Sequence, residues 1–252
     1  MKRLGIIGAM EVEVSLLREQ LEAPSASQRA GMTFWSGLLR GMPVVIVPCG
    51  VGKVNAALCV QVMADLYGVT HVVNTGIAGS LDASLEIGEI VISSDVMYHD
   101  VQVGTIGNYP RGQVPGMDVR AFPVDRTLGA LAARMCSEQG IAYRTGRIVS
   151  GDQFICDSEI KAEIARQCGG LCVEMEGAAI AHAAYRNRLP ALVLRAISDK
   201  ADDSAAMDYP TFEALAAERC AGLTMALAES LAKETDVLSQ INWSPDTILP
   251  VR

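Results

Sequence analysis

Short apolar runs alternate with stretches of helical spacing along almost the whole chain. Residues 3–8, apolar after Arg3, predict a buried strand; Val12, Leu16 and Leu17 then follow at helical spacing and predict a helix over 11–21. Residues 23–29 are polar and contain Pro24, so a loop is expected there. Two apolar runs, 32–39 and 43–48, flank Arg40-Gly41 and predict a hairpin. Gly50 and Gly52 open a helix over 53–67. A strand over 71–75 runs into the small-residue segment 76–80, read as a loop, and 89–98 predicts a further strand. Residues 104–122 have no period and carry several glycines and prolines, the mark of a long loop. Beyond it the pattern predicts a helix over 125–140 capped by Asp125 and a strand over 147–150. A helix over 157–167 capped by Asp157 or Ser158, a strand over 171–174, a helix over 176–188 and a strand over 191–197 follow. The last predicted helix spans 210–233, with Pro210 at its start.

This alternation predicts an α/β fold: a three-layer α/β/α arrangement with a central mixed sheet and helices on both sides. Residues 1–234 are expected to form one domain, and 235–252 a C-terminal tail without a clear period. On such sheets ligands sit at the carboxyl ends of the strands, so chemistry is sought there.

Composition narrows the classes. Half of the 252 residues are hydrophobic and 20% are charged, which excludes a disordered chain. The net charge of −8 comes without a basic stripe, which argues against a nucleic-acid partner. No apolar run approaches the ~20 residues that cross a bilayer, so no membrane partner is expected. Glu11 and Glu13 interrupt the apolar N-terminal run, unlike a signal peptide, and a cytoplasmic protein is expected. The seven cysteines include no CxxC pair and the three histidines are scattered, so we expect reduced, mostly buried thiols and no metal.

Several motifs fail on inspection. The segment Gly5 to Met10 lacks the glycine spacing of a dinucleotide site. Gly50-Val51-Gly52-Lys53 looks like part of a phosphate loop, but Val47 replaces the earlier glycine and Val54 the magnesium-binding hydroxyl. What remains is a set of carboxylates at strand ends. Glu13 lies one turn into the first helix, Glu174 and Glu176 bracket Met175, and Asp199 ends an apolar strand. Each alone fits a helix cap or a dipole partner. Arg195, inside that last strand, needs an anionic partner if it is buried, in a functional or a purely structural ion pair. Grouped acids can divide labour, one protonated and donating, another ionised and activating water, as glycosidic cleavage requires. By themselves the residues reach only a hydrolase or a transferase.

Six segments in order carry a resemblance: GIIGAMEVEV from Gly5, GVGKVNAA from Gly50, NTGIAG from Asn74, SGDQFI from Ser150, VEMEG from Val173 and RAISD from Arg195. Together they resemble the 5′-methylthioadenosine/S-adenosylhomocysteine nucleosidases of the purine nucleoside phosphorylase and hydrolase superfamily, from Leu4 to about Leu231. The resemblance implies a nucleoside phosphorylase-like fold and hydrolysis of the adenine–ribose bond, without cofactor or metal. It implies Asp199 as the acid at adenine N7 and Glu13 as the base for water, helped by Glu176 and Arg195. It implies Met175 and Glu176 on the ribose hydroxyls, Phe154 stacked on the base and Ile155 pairing with its edge. Met10, Val51 and Tyr209 would line the pocket, as would Ile77. It also implies a homodimer in which Val103, Ile106 and Pro115 close the 5′ end of the neighbour's pocket. Three positions depart from the family pattern, among them Ala206, where relatives often carry a larger, polar residue. Ile77 stands where many relatives carry a Ser or Thr that hydrogen-bonds the acid, and Tyr209 where Phe is usual.

Two other readings stay open at this point. A phosphorylase of the same fold would need an arginine-bearing phosphate cradle, and neither glycine-rich segment has one. A non-catalytic adenosine-binding protein would fit the loss of any of the three acids, and all are present. Methylthioadenosine, adenosylhomocysteine, 5′-deoxyadenosine and aminodeoxyfutalosine are not ranked by the sequence.

Overall fold

The computed structural model describes residues 2–104 and 107–233. In chain order they form β1 (Leu4–Gly8), α1 (Glu11–Glu19), β2 (Glu22–Arg29), β3 (Met32–Leu39), β4 (Met42–Pro48), α2 (Lys53–Tyr67), β5 (His71–Ser80) and β6 (Ile90–Tyr98). Then come β7 (Phe122–Pro123), α3 (Arg126–Glu138), β8 (Tyr143–Ser150), α4 (Ser158–Cys168), β9 (Cys172–Glu174), α5 (Gly177–Asn187), β10 (Ala191–Asp199) and α6 (Ala205–Lys233). The tail expected over 235–252 lies outside the described residues.

Successive strand residues point to opposite faces, and the central strands carry apolar side chains on both. Leu4 and Ile6 of β1, Val44 and Ile46 of β4, and Leu192 and Leu194 of β10 join α1, α3 and α6 in one core. Ile7, Val45, Val47 and Val193 join α2 and α5 in a second core on the other face. The sheet is mixed. β1 pairs in parallel with β4 and β5, β5 with β10, and β8 with β6 and β9; the remaining pairings are antiparallel. Because β10 pairs with both β5 and β6, strands β5, β10, β6, β8 and β9 close into a ring, and β1, β4, β3 and β2 extend from it as an open wing. The expected α/β architecture with helices on both faces of a mixed sheet is thus the observed one. Among the described residues no helix is long and apolar enough to cross a membrane.

Local signals explain the boundaries that were anticipated. Arg40 and Gly41 both adopt positive φ, as a tight hairpin between β3 and β4 requires. The Asp125 carboxylate accepts the Leu128 amide at 2.8 Å, and Asp157 accepts Glu159 and Ile160 at 2.9 Å, so both caps form as expected.

Three expectations are corrected. Residues 23–29, read as a loop, belong to edge strand β2; its pairing with β3 supplies what its polar, exposed sequence does not, and Pro24 sits at the register shift between Glu22 and Ser25. Residues 76–80, also read as a loop, continue β5, because β10 pairs along Gly76 to Gly79 and β9 along Gly79 to Ser80. The last helix begins at Ala205 and contains Pro210 instead of starting at it.

The cores set one expectation. Leu227 of α6 is fully buried between layers, and Leu227→Ala should lose about 3 kcal/mol in urea unfolding. Gln28→Ala on exposed β2 should stay within about 0.5 kcal/mol of the parent.

Candidate active site

Strands β1, β5 and β10 run parallel and side by side, so their carboxyl ends open on one crevice. Glu13 sits just beyond the end of β1. Its Oε2 accepts the Ala9 and Met10 amides at 2.6 and 2.9 Å, folding the side chain back over the start of α1. Its Oε1 reaches across to the Ile77 amide of β5 at 3.1 Å. Gly76 makes this approach possible: a Cβ there would collide with Glu13 Oε1 and lie 3.3 Å from Arg195 Nη1. Glu13 and Arg195 therefore converge over a residue that has no side chain.

Arg195 is 2% exposed and lies opposite Gly76 in the sheet. Its Nη2 donates to Asn74 Oδ1 at 2.5 Å and to the Glu174 carboxylate, and its Nη1 to the Leu194 carbonyl at 2.9 Å. The anionic partner that a buried guanidinium demanded is thus Glu174, which the sequence reading placed beside Met175 without a role. Glu174 also accepts the Ser150 hydroxyl and the Glu176 and Gly177 amides, the latter two at 3.1 and 2.8 Å. Asn74 was missed as well, since nothing in the sequence distinguishes it from any polar residue in a buried strand.

Glu176 is the N-cap residue of α5, and its Oε1 accepts the Gly52 amide at 2.7 Å. The glycine turn that failed as a phosphate loop thus holds a carboxylate with its backbone. Asp199 ends β10 at a register shift in the pairing with β5. The irregularity brings Ser198 Oγ onto Asp199 Oδ2 at 2.8 Å, while Oδ1 accepts the Ala201 amide at 2.8 Å. Asp199 therefore has a hydroxyl donor although residue 77 is Ile. The Ile77 side chain belongs to the core cluster that Met10 and Tyr209 pack against.

Burial shapes the protonation of these acids. Glu13, Glu176 and Asp199 are 4%, 5% and 2% exposed. Loss of water raises the Glu13 carboxyl above the usual range, against the pull of Arg195 and three amides. Burial and the neighbouring Glu174 charge push Glu176 up to about 8. Burial also raises Asp199, opposed by Ser198 and the Ala201 amide and reinforced by the charges of Asp208 and Asp202. The nearby Cys49 thiol is pushed up to about 12 by burial and by Glu176 and Glu13, which keeps it neutral. The site combines a guanidinium with three acids raised above the usual carboxylate range, Glu176 to about 8.

Beside the acids lies an aromatic corner. Phe154 and Tyr209 meet edge to face, with ring centroids 5.5 Å apart. The Tyr209 hydroxyl reaches Met10 Sδ at 3.4 Å and Glu213 Oε1 at 3.0 Å. Phe154 and Val51 are solvent-exposed, Met10, Met175 and Tyr209 half-buried, and Ile155 buried. Val103 is half-buried and Pro115 exposed on the segment after β6; among the described residues neither shares a hydrogen bond or an apolar cluster with the acids. Ile106 lies outside the described residues. No group of three or more metal-binding side chains occurs among the described residues.

The Phosphorylase superfamily profile matches residues 3–229. A 5′-methylthioadenosine/S-adenosylhomocysteine nucleosidase of Bacillus cereus is 39% identical over 231 residues, 91% of this chain and 99% of its own. Among solved structures, the nucleosidase of that name from Neisseria meningitidis, in complex with methylthio-immucillin-A, superimposes with a TM-score of 0.88 at 37% identity, covering 92% of this chain and 100% of its own. The Colwellia psychrerythraea enzyme, in complex with adenine, gives 0.87 at 40% identity, covering 91% and 96%. With a buried acid cluster at the expected strand ends and a likeness in sequence and fold over nine-tenths of its length, the chain belongs to the 5′-methylthioadenosine/S-adenosylhomocysteine nucleosidase family of the phosphorylase superfamily.

Proposed function

We propose that the protein hydrolyses the N-glycosidic bond of 5′-methylthioadenosine and S-adenosylhomocysteine, and of 5′-deoxyadenosine, to adenine and the 5-substituted ribose, with the residues above in the following roles. The observation that carries the assignment is that Glu13, Glu176 and Asp199 are all buried and lie at or just beyond the ends of β1, β9 and β10, each of which pairs with β5. Relatives bound to adenine and to methylthio-immucillin-A support the adenine nucleoside as substrate.

Asp199, whose carboxyl burial keeps protonated above the usual range, donates its proton to adenine N7. The C1′–N9 electron pair then leaves with a neutral purine. Glu13 accepts a proton from water as the water oxygen bonds to C1′, with Arg195 alongside to stabilise the arrangement. Glu176 holds the ribose hydroxyls together with Met175. It carries a proton below about pH 8, and both a donating sugar hydroxyl and the positive charge growing at C1′ favour its ionised form. Phe154 offers a face to the purine and Ile155 its backbone, while Met10, Val51, Ile77 and Tyr209 line the remainder. Water is favoured over phosphate because the backbone amides of both glycine-rich segments are already engaged: Ile77 donates to Glu13 and Gly52 to Glu176. A phosphate would meet two carboxylates there.

The same reading includes a homodimer, with Val103, Ile106 and Pro115 reaching the neighbour's pocket. What supports it is an exposed apolar strip beside the cleft: Val51, Val54 and Leu58 are 48%, 70% and 46% exposed at the start of α2. It also includes a cytoplasmic setting, in keeping with cysteines that are unpaired and, except for Cys156, buried.

Three outcomes check this account. Asp199→Asn should lower kcat for adenine release about 10³-fold while still binding adenine; turnover near the parent rate would remove Asp199 as the acid. Adenine release from methylthioadenosine should proceed without phosphate, and a strict phosphate requirement would contradict hydrolysis. Finally, the raised Glu176 value means that its proton stabilises the fold fully below about pH 4.5 and that this contribution is lost as pH rises through about 8. Glu176→Gln, a neutral mimic, should therefore gain melting temperature relative to the parent on going from pH 4.5 to pH 8.5, and an unchanging difference would contradict the assignment.

A further inference from the structure

Lys53, the residue that made the glycine turn look like a phosphate loop, is used otherwise. Helix α2 has no side-chain cap of its own. Its first amides are taken by acids from elsewhere: Gly52 N–H donates to Glu176 Oε1 at 2.7 Å and Lys53 N–H to Asp152 Oδ1 at 2.9 Å. The Lys53 ammonium donates to Asp100 Oδ2 and lies 3.5 Å from Asp152 Oδ2, above the Tyr98 ring at 5.5 Å. Asp100 Oδ2 also accepts the Asp152 amide at 3.0 Å. One half-buried cation thus ties three segments together: the turn before α2, the end of β6 and the segment after β8 that carries Phe154. The turn is crowded where this happens. Gly52 has φ +98°, and a Cβ on it would lie 3.2 Å from Asp152 Oδ1.

We propose that Lys53, clamped by Asp100 and Asp152, is a positioning residue that fixes the Gly52 amide on Glu176 and so sets the place of that carboxylate at the ribose. The proposal rests on the assignment of Glu176 given above. The physical case has two parts. Glu176 receives one hydrogen bond from the turn, so its position is only as good as the register of Gly52, and Gly52 is held one residue away by the Lys53–Asp152 contact. Without the ammonium, Asp152 and Asp100 would face each other as unneutralised carboxylates, and the turn would relax away from them. An ion pair on open surface contributes little, and Asp152 is exposed, but the Lys53–Asp100 pair is partly buried and both acids are also tied in by backbone bonds. A displacement of about 1 Å at a group that contacts the reacting sugar is enough to cost on the order of 10² in rate.

The test is a double-mutant cycle on kcat/KM for adenine release from methylthioadenosine, with parent, Lys53→Met, Glu176→Gln and the double variant; Lys53→Arg serves as the conservative control. Met keeps the stem over Tyr98 and removes the charge. Lys53→Met should lower kcat/KM on the order of 10²-fold in the parent. In the Glu176→Gln background the same change should cost less than about threefold, because the group through which Lys53 acts is already altered. Lys53→Arg should remain within about tenfold of the parent. Equal losses in both backgrounds, or a Lys53→Arg loss as large as that of Lys53→Met, would overturn the inference. A Glu176→Gln protein as active as the parent would remove the role of Glu176 and the inference with it. An impaired Glu176→Gln beside a fully active Lys53→Met would overturn the inference alone. If melting curves show that Lys53→Met does not fold, Asp152→Asn, which keeps an acceptor and removes the charge, goes through the same cycle with the same expectation.

Discussion

The site depends on one electrostatic constraint: Glu13, Glu174 and Glu176 share a water-poor crevice with a single guanidinium, Arg195. Fully ionised, the group would carry two uncompensated negative charges in a medium that solvates them badly. The protein resolves this in three ways. Arg195 pairs directly with Glu174, backbone amides of Ala9, Met10, Ile77 and Gly52 point at Glu13 and Glu176, and Glu176 keeps a proton to about pH 8. Proton storage at neutral pH therefore follows from burial, and Asp199, buried at the neighbouring strand end, is raised for the same reason.

The fold is organised to make that burial possible. Closure of β5, β10, β6, β8 and β9 into a ring brings Glu174 and Arg195 into contact across β5, where Asn74 also bonds Arg195. Gly76 and Gly79 supply the missing side chains: a Cβ on Gly79 would lie 2.7 Å from Asp199 Oδ1, and one on Gly76 would displace Glu13. The small-residue segment that looked like a loop is instead a strand kept narrow so that acids from both sides can approach it.

Much of this was legible in the sequence. Periodicity located the strands of the sheet core and most helices, because residues such as Ile6, Ile46 and Leu194 are selected by layers on both faces. The strand-end acids stood out because ligands on such sheets sit at the carboxyl ends of the strands. Other features were not legible for physical reasons. β2 owes its strand conformation to pairing with β3, and its own residues, polar and exposed, give no period. The extension of β5 through Gly76–Ser80 depends on partners distant in sequence. The Glu174–Arg195 pair appears only once the ring closes, and Ser198 reaches Asp199 only through the irregularity at the end of β10, an event with no local signature.

The most direct test of the central claim is a pH titration of the substrate-free protein with carboxyl-carbon labels on Asp and Glu, followed by NMR and assigned with the Glu13→Gln, Glu176→Gln and Asp199→Asn variants. The account predicts that all three carboxyls titrate above the ordinary carboxylate range, Glu176 near pH 8. Three ordinary titrations near pH 4, like those of solvent-exposed acids, would contradict it.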